Sequence, residues 1–231
     1  MTFSICVREN YEDGEEVEQV RYGIAVLTRL PRVGALCPFV NRYGAVSTQS
    51  RLNRELGQKG ASYLTDGLGV EDALQALLNA DPHAVHRQLH GVDRNNVFAY
   101  TGEECDDWAG HVTGDNYSIA GNLLRSSDVV EEMETAYLEA DPDVSLPRRL
   151  AEVLRAGQVA GGDGRDELGV QSAAIRVEDT EEHHIYAPAT HDLRVDATTT
   201  PIADLDDTLA AAERGHEETM AAVREKYARM E

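Results

Sequence analysis

Three features of this 231-residue sequence predict an α+β fold with mainly antiparallel sheets. Short alternating segments rich in β-branched and aromatic residues recur near the start, in the middle and late in the chain. Between them lie two pairs of segments whose apolar residues repeat at helical spacing. The resulting order is strands, a helix pair, strands, a helix pair, strands. Helices segregated in pairs favour hairpin-linked antiparallel sheets over a parallel one. Two helix pairs and two strand groups fit a four-layer αββα stack with the helices outside. The chain reads as one domain over 1–231, with 203–231 a charged C-terminal helix.

The elements follow in order. "MTFSICV" and "RYGIAVLT" read as strands at 2–8 and 21–28, joined through the acidic stretch "ENYEDGEEVEQV" with Asp13-Gly14 as its turn signal. "LCPFV" and "YGAVSTQ" are short strands. Leu64, Leu68, Ala73, Leu74, Leu77 and Leu78 mark helices at about 53–65 and 70–79, broken near "DGLG" and closed by Asp81-Pro82. "RQLHGVD", "NVFAYTG" and "NYSIAGNLL" return to strand. "SDVVEEMETAYLEA" is a helix that Ser127 or Asp128 can cap, with acids in its first turns. "LPRRLAEVLRAGQVAGG" is a helix ending in glycines. "VQSAAIRVE" and "HDLRVDA" are late strands, separated by a weak joint at 179–190, and the stretch from Asp204 is amphipathic and charged.

Charge narrows the function classes. Asp and Glu number 42 against 21 Lys and Arg, a formal net charge of −21. Such a surface repels phosphates and anionic lipids, so neither nucleic acid nor membrane is expected as a partner. The only lysines are Lys59 and Lys226. Acid-rich, lysine-poor composition suits concentrated salt, where repulsion is screened within about 3 Å at 1 M. A halophilic cytoplasm is the expected setting. Cys6, Cys37 and Cys105 show no pairing pattern and fit reduced thiols. There is neither a signal-peptide pattern nor an apolar run long enough to span a bilayer.

Thr2 is the first candidate for chemistry. Met1 is normally trimmed before a small residue, and its loss would put a hydroxyl and a free α-amine on one residue. A threonine hydroxyl needs a base, and its own terminal amine can serve. The reference pKa of such an amine, about 7.7–8.0, leaves part of it neutral near pH 7. β-Branching restricts χ1 and helps hold the nucleophile.

"VGALCPFV", "GAVSTQS", "TGEECDDWAGHVTGDNYSIAGNLL" and "AGGD…QSAAI", together with the Met-Thr-Phe-Ser start, resemble domain-of-unknown-function family 1028. The resemblance covers roughly residues 2–197, and Trp-Ala-Gly-His at 108–111 with Ala-Gly-Asn at 120–122 are its specific parts. It implies an N-terminal nucleophile (Ntn) hydrolase-like αββα sandwich, with Thr2 hydrolysing an amide. Two departures stand out. An acidic insertion lengthens the first hairpin, and "GGDGRDELGVQSAA" is two residues longer than the family's usual Gly-Asp-Arg-Arg-Gly approach to Gln-Ser-Ala-Ala.

Other site residues follow from the needs of acyl transfer. Asn122 can supply an oxyanion donor beside Gly121, or simply form a turn. Gln49 and Ser50, ending a strand, are further donors. Arg29 ends the strand that should lie beside the first, and can clamp a substrate carboxylate or join a structural ion pair. Asp163, Arg165 and Ser172 surround the glycine-rich loop as loop organisers or substrate contacts. His111 is either a site residue or an imidazole packed beside Trp108 and hydrogen-bonded to backbone.

A zinc reading of His83, His86 and His90 needs a helix, whereas the flanking Pro82 and Gly91 and the run "RQLHGVD" favour a strand, so no metal is expected. "AGGDGRDELG" lacks a phosphate-loop lysine, and no cofactor is expected. The leading expectation is an amidohydrolase acting on a small-molecule amide or short peptide. The alternative is a non-catalytic αββα protein that binds a ligand or partner. The C-terminal helix suits either a homo-oligomer interface or a solvated face.

Overall fold

The computed structural model describes residues 2–165, 167–181, 188 and 191–228. Within them the chain is mixed α+β, with five α-helices and two sheets whose described strand pairs are all antiparallel.

The first hairpin pairs β1 (Thr2–Glu12) with β2 (Glu18–Thr28), from Phe3↔Leu27 out to Glu12↔Glu18. The acidic stretch is therefore mostly strand. Its tip is a tight loop in which Asp13 Oδ1 accepts the backbone N–H groups of Glu15 and Val17. The rest of the larger sheet comes from β7 (Trp108–Thr113), β8 (Tyr117–Leu124), β9 (Gln171–Asp179) and β10 (Asp192–Thr198). Its order is β10-β9-β2-β1-β8-β7, which makes β1 an interior strand. The smaller sheet runs in chain order through β3 (Pro38–Asn41), β4 (Gly44–Gln49), β5 (Gln88–Asp93) and β6 (Val97–Thr101).

Strand alternation sorts the side chains of β1 onto two faces. Phe3, Ile5 and Val7 pack with Met133 of α3 (Asp128–Leu138) and with Leu150 and Leu154 of α4 (Leu146–Val159). Leu205 and Leu209 of α5 (Pro201–Ala228) join the same core. Each such fully buried side chain contributes about 1.5–3 kcal/mol relative to exposure. Cys6 points the other way, clustering with Tyr22 and Ile24 of β2 and with Ala45 and Val92 of the smaller sheet. The outer face of that sheet is covered by α1 (Arg54–Thr65) and α2 (Val70–Ala80), through Leu56, Leu64 and Leu74 against Val46 and Leu89. A bidentate pair from Arg149 of α4 to Glu9 of β1, at 2.6 and 2.7 Å, ties the helices to the hairpin.

Two local expectations need correction. β7 has no counterpart among the strands read from the sequence, because Ala109 and Gly110 dilute its alternation. Ser127 occupies the N-cap of α3, but its backbone is already helical (φ −61°, ψ −27°), so its hydroxyl makes no capping bond. Asn53 does cap α1, its Oδ1 accepting the N–H of Glu55 at 3.0 Å. Among the described residues no helix is long and apolar enough to cross a membrane.

Candidate active site

The end of the larger sheet carries one polar residue on each of four adjacent strands. Thr2 of β1 pairs with Asn122 of β8, and Thr28 of β2 pairs with Ser172 of β9. The Thr2 hydroxyl donates to Thr28 Oγ1 at 3.3 Å, closing the rung across the middle. All four positions lie on the face turned toward the smaller sheet, since their neighbours Phe3, Leu27 and Ala173 face the helices.

A cleft of about 310 Å³ opens at this rung. Its polar wall includes Thr2, Thr28, Ser50 and Asn122, and its apolar wall includes Leu30, Pro31, Val33 and Leu52. Three lining residues other than glycine have left-handed backbones: Ser50 (φ 53°), Arg51 (φ 37°) and Leu123 (φ 55°). Such conformations cost about 1–3 kcal/mol each and persist where the surroundings over-determine them. The fixing contacts are identifiable. Arg87 donates to the Arg51 carbonyl, and Gly164 N donates to the Leu123 carbonyl at 3.2 Å.

Beneath the rung a buried polar layer joins the two sheets. Asn122 Nδ2 donates to Gln88 Oε1 at 3.0 Å, and Gln49 Nε2 donates to the same oxygen at 2.7 Å. Gln88 Nε2 in turn lies 2.9 Å from Thr101 Oγ1 and from the carbonyls of Gly110 and Gly121. Those two glycines pair with each other where β7 and β8 shift register. A Cβ on Gly110 would come within 2.9 Å of the Trp108 indole, and one on Gly121 within 2.4 Å of Leu124. The Trp-Ala-Gly-His and Ala-Gly-Asn runs thus build the bulge whose carbonyls hold Gln88, and through it Asn122.

The layer continues to His90, which is fully buried. Its Nε2 lies 2.8 Å from Ser4 Oγ and its Nδ1 2.9 Å from Ser118 Oγ. Ser4 spends its single proton on Gln49 Oε1 at 3.0 Å, so His90 Nε2 is the donor to Ser4 and Nδ1 accepts from Ser118. Burial, reinforced by nearby His111, pushes the His90 pKa down to about 3, and the imidazole is neutral. Burial likewise pushes the Cys37 thiol up to about 12.

Not every residue singled out in the sequence reaches the cleft. Thr2, Ser50, Asn122 and Arg165 line it. Gln49 lies in the layer below, fully buried, because strand alternation turns it between the sheets. Arg29 does not line the cleft; its Nη1 donates to the carbonyls of Arg165 (3.0 Å) and Leu168 (3.4 Å), so it braces a loop. Asp163 is fully buried and holds Arg165. Ser172 is buried, donating to Leu30 O at 2.5 Å and accepting from Val33 N at 3.0 Å, which anchors the loop forming the apolar wall. His111 sits on the edge strand β7, bonded at 2.9 Å to Thr101 rather than to backbone.

The sequence reading missed Thr28, Gln88 and Arg51. Antiparallel pairing of the first two strands from their ends places Thr28 beside Thr2, so that signal was available. Gln88 carries no local signal. The three histidines considered for zinc are dispersed: His86 is in a 3-10 turn beside Glu104 at 3.2 Å, whereas His90 is between the sheets. No group of three or more His, Cys, Asp or Glu suited to a metal ion occurs among the described residues.

A search of curated proteins gives no match. Among solved structures, the chain is similar to the crystal structure of protein SPO2555 from Silicibacter pomeroyi, described as a DUF1028 protein. The similarity has a TM-score of 0.73 and 27% identity, over 91% of this chain and 88% of that one. The model of a family of unknown function, DUF1028, matches residues 2–205. With nearly all of the folded body inside that match, the chain belongs to the DUF1028 family.

Proposed function

We propose that this chain is an amidohydrolase of the N-terminal nucleophile type, built on a four-layer αββα sandwich, with Thr2 as nucleophile once Met1 is removed. The observation that carries the reading is the polar rung Asn122–Thr2–Thr28–Ser172 opening into a cleft flanked by left-handed residues. An interior strand holds Thr2 on both sides, which is the rigidity that positioning a nucleophile requires.

In this mechanism the Thr2 hydroxyl, oriented by Thr28, passes its proton to the α-amine of Thr2 as Oγ1 bonds to the amide carbonyl carbon. The C–N bond then breaks, and the departing amine takes that proton. Water, deprotonated by the same α-amine, attacks the resulting ester. The acid product leaves and Thr2 is restored. The oxyanion needs a prepositioned donor. Asn122 Nδ2 commits one N–H to Gln88, and its second N–H has no partner among the described residues. That N–H supplies the donor at the cleft.

The test is amine release from a panel of small amides by the wild type and two variants. Thr2→Ala should lose at least 10³-fold in kcat/KM, about 4 kcal/mol of transition-state stabilisation, whereas Thr2→Ser should retain measurable turnover. Equal activity in Thr2→Ala and wild type would remove Thr2 from the chemistry.

A further inference from the structure

Two arginines line the Thr2 cleft in a chain whose acids outnumber its bases two to one. The charged residues lining it are Arg51, Arg165 and Asp106, an excess of one cation. In a molecule of net charge −21, a lining without an excess of acid sets the site of proposed chemistry apart from the rest of the chain.

The two arginines are held differently. Asp163 Oδ1 accepts from Arg165 N at 2.8 Å and Nε at 3.1 Å, while its Oδ2 accepts from Nη2 at 3.0 Å. That side-on grip fixes the guanidinium plane, and Arg29 secures the backbone carbonyl of the same residue at 3.0 Å. The Nη1 group of Arg165 has no partner among the described residues, so the Nη1–Nη2 edge remains for an incoming planar anion. Arg51 is exposed, its backbone is left-handed and its carbonyl is held by Arg87, while its side chain has no partner among the described residues. Asp163 offsets the charge of Arg165, and Arg51 adds charge that the lining does not offset beyond Asp106.

The lining also has an apolar part, in which Leu30 and Leu52 remain 51% and 39% exposed. A cleft of about 310 Å³ is at the lower end of small-ligand sites. We infer that the substrate is a small amide bearing both an apolar group and a carboxylate, such as an N-acylated apolar amino acid. Its carboxylate binds the free edge of Arg165 with Arg51, and its apolar part lies against Leu30 and Leu52. This rests on the reading of Thr2 as nucleophile, but the anion site itself can be measured without turnover.

Titration calorimetry on the full-length Thr2→Ala variant provides that test, using N-acetyl-leucine, N-acetyl-leucinamide and an acetylated hexapeptide ending in a free leucine carboxylate. The acid should bind at least tenfold more tightly than its carboxamide, with the preference weakening as salt rises. Tighter binding of the free acid than of the hexapeptide assigns the site to small molecules, and the reverse assigns it to chain ends. Arg51→Gln should cut the preference severalfold. Because the Arg51 side chain has no partner to orphan among the described residues, that variant remains informative if Arg165→Gln, which strips Asp163 of its partner, fails to fold. Equal affinities for acid and carboxamide, no binding of either, or an undiminished preference in Arg51→Gln would overturn the inference. Carboxylate-selective binding with no wild-type turnover would retain the anion site and reject the nucleophile reading instead.

Discussion

His90 stays neutral because water cannot reach it, and its two nitrogens are each matched by one serine hydroxyl. A folded pKa of about 3 against the ordinary 6.5 has a definite consequence for stability. Between these values the unfolded chain binds a proton that the folded chain refuses. The contribution is complete above pH 6.5 and is lost as pH falls toward about 3, by at most about 1.4 kcal/mol per pH unit for one proton. Urea unfolding between pH 7.5 and 5 should show this decline, and His90→Gln should flatten it. An unchanged slope in the variant would mean that His90 titrates normally in the fold. The same residue shows how a site hides from sequence reading. Its spacing from His83 and His86 draws attention to metal chemistry, whereas its partners Ser4 and Ser118 lie 86 and 28 residues away.

At the scale of elements, β4 and β5 are the scaffold on which the polar layer is hung. Gly91 permits their close approach, since a Cβ there would lie 2.4 Å from the Ala45 carbonyl oxygen and 3.3 Å from Val46 Cα. The obstacle is backbone and cannot swing aside. Gly91→Ala should therefore cost about 1–3 kcal/mol in urea unfolding, with the damage centred beside His90. A neutral result would show that the two strands separate easily. Element identity was largely legible in the sequence. Alternation marked β1 and β2, and leucine spacing placed α1 and α2 within a residue or two of Arg54–Thr65 and Val70–Ala80. The site was legible only where it followed strand order. Thr2 and Asn122 meet because their strands pair, while Gln88 reaches Asn122 from the other sheet, a packing contact that no local pattern encodes. Arg29 illustrates the limit: the end of the right strand was found, but the guanidinium turns to the carbonyls of Arg165 and Leu168 and leaves the cleft to Arg165.

At the scale of the whole molecule, the excess of acid is a repulsive term acting on every compact state. With 42 acids against 21 bases, dilute salt leaves that repulsion acting over about 10 Å, while 1 M salt confines it to about 3 Å. The unfolding temperature should accordingly climb by several degrees between 0.1 and 2 M KCl. A flat response would show that local pairs such as Arg149–Glu9 already balance the surface. Placing Arg51 and Arg165 at the cleft in this field gives an anionic ligand guanidinium partners in an otherwise acidic molecule.

The account turns on whether Thr2 carries a reactive hydroxyl at a free terminus. Tandem mass spectrometry after treatment with a hydroxyl-directed β-lactone addresses both conditions at once. The account predicts an N-terminal peptide that begins at Thr2 and carries the acyl adduct on that residue. A peptide that retains Met1, or one that begins at an unmodified Thr2 while other hydroxyls are labelled, would contradict it.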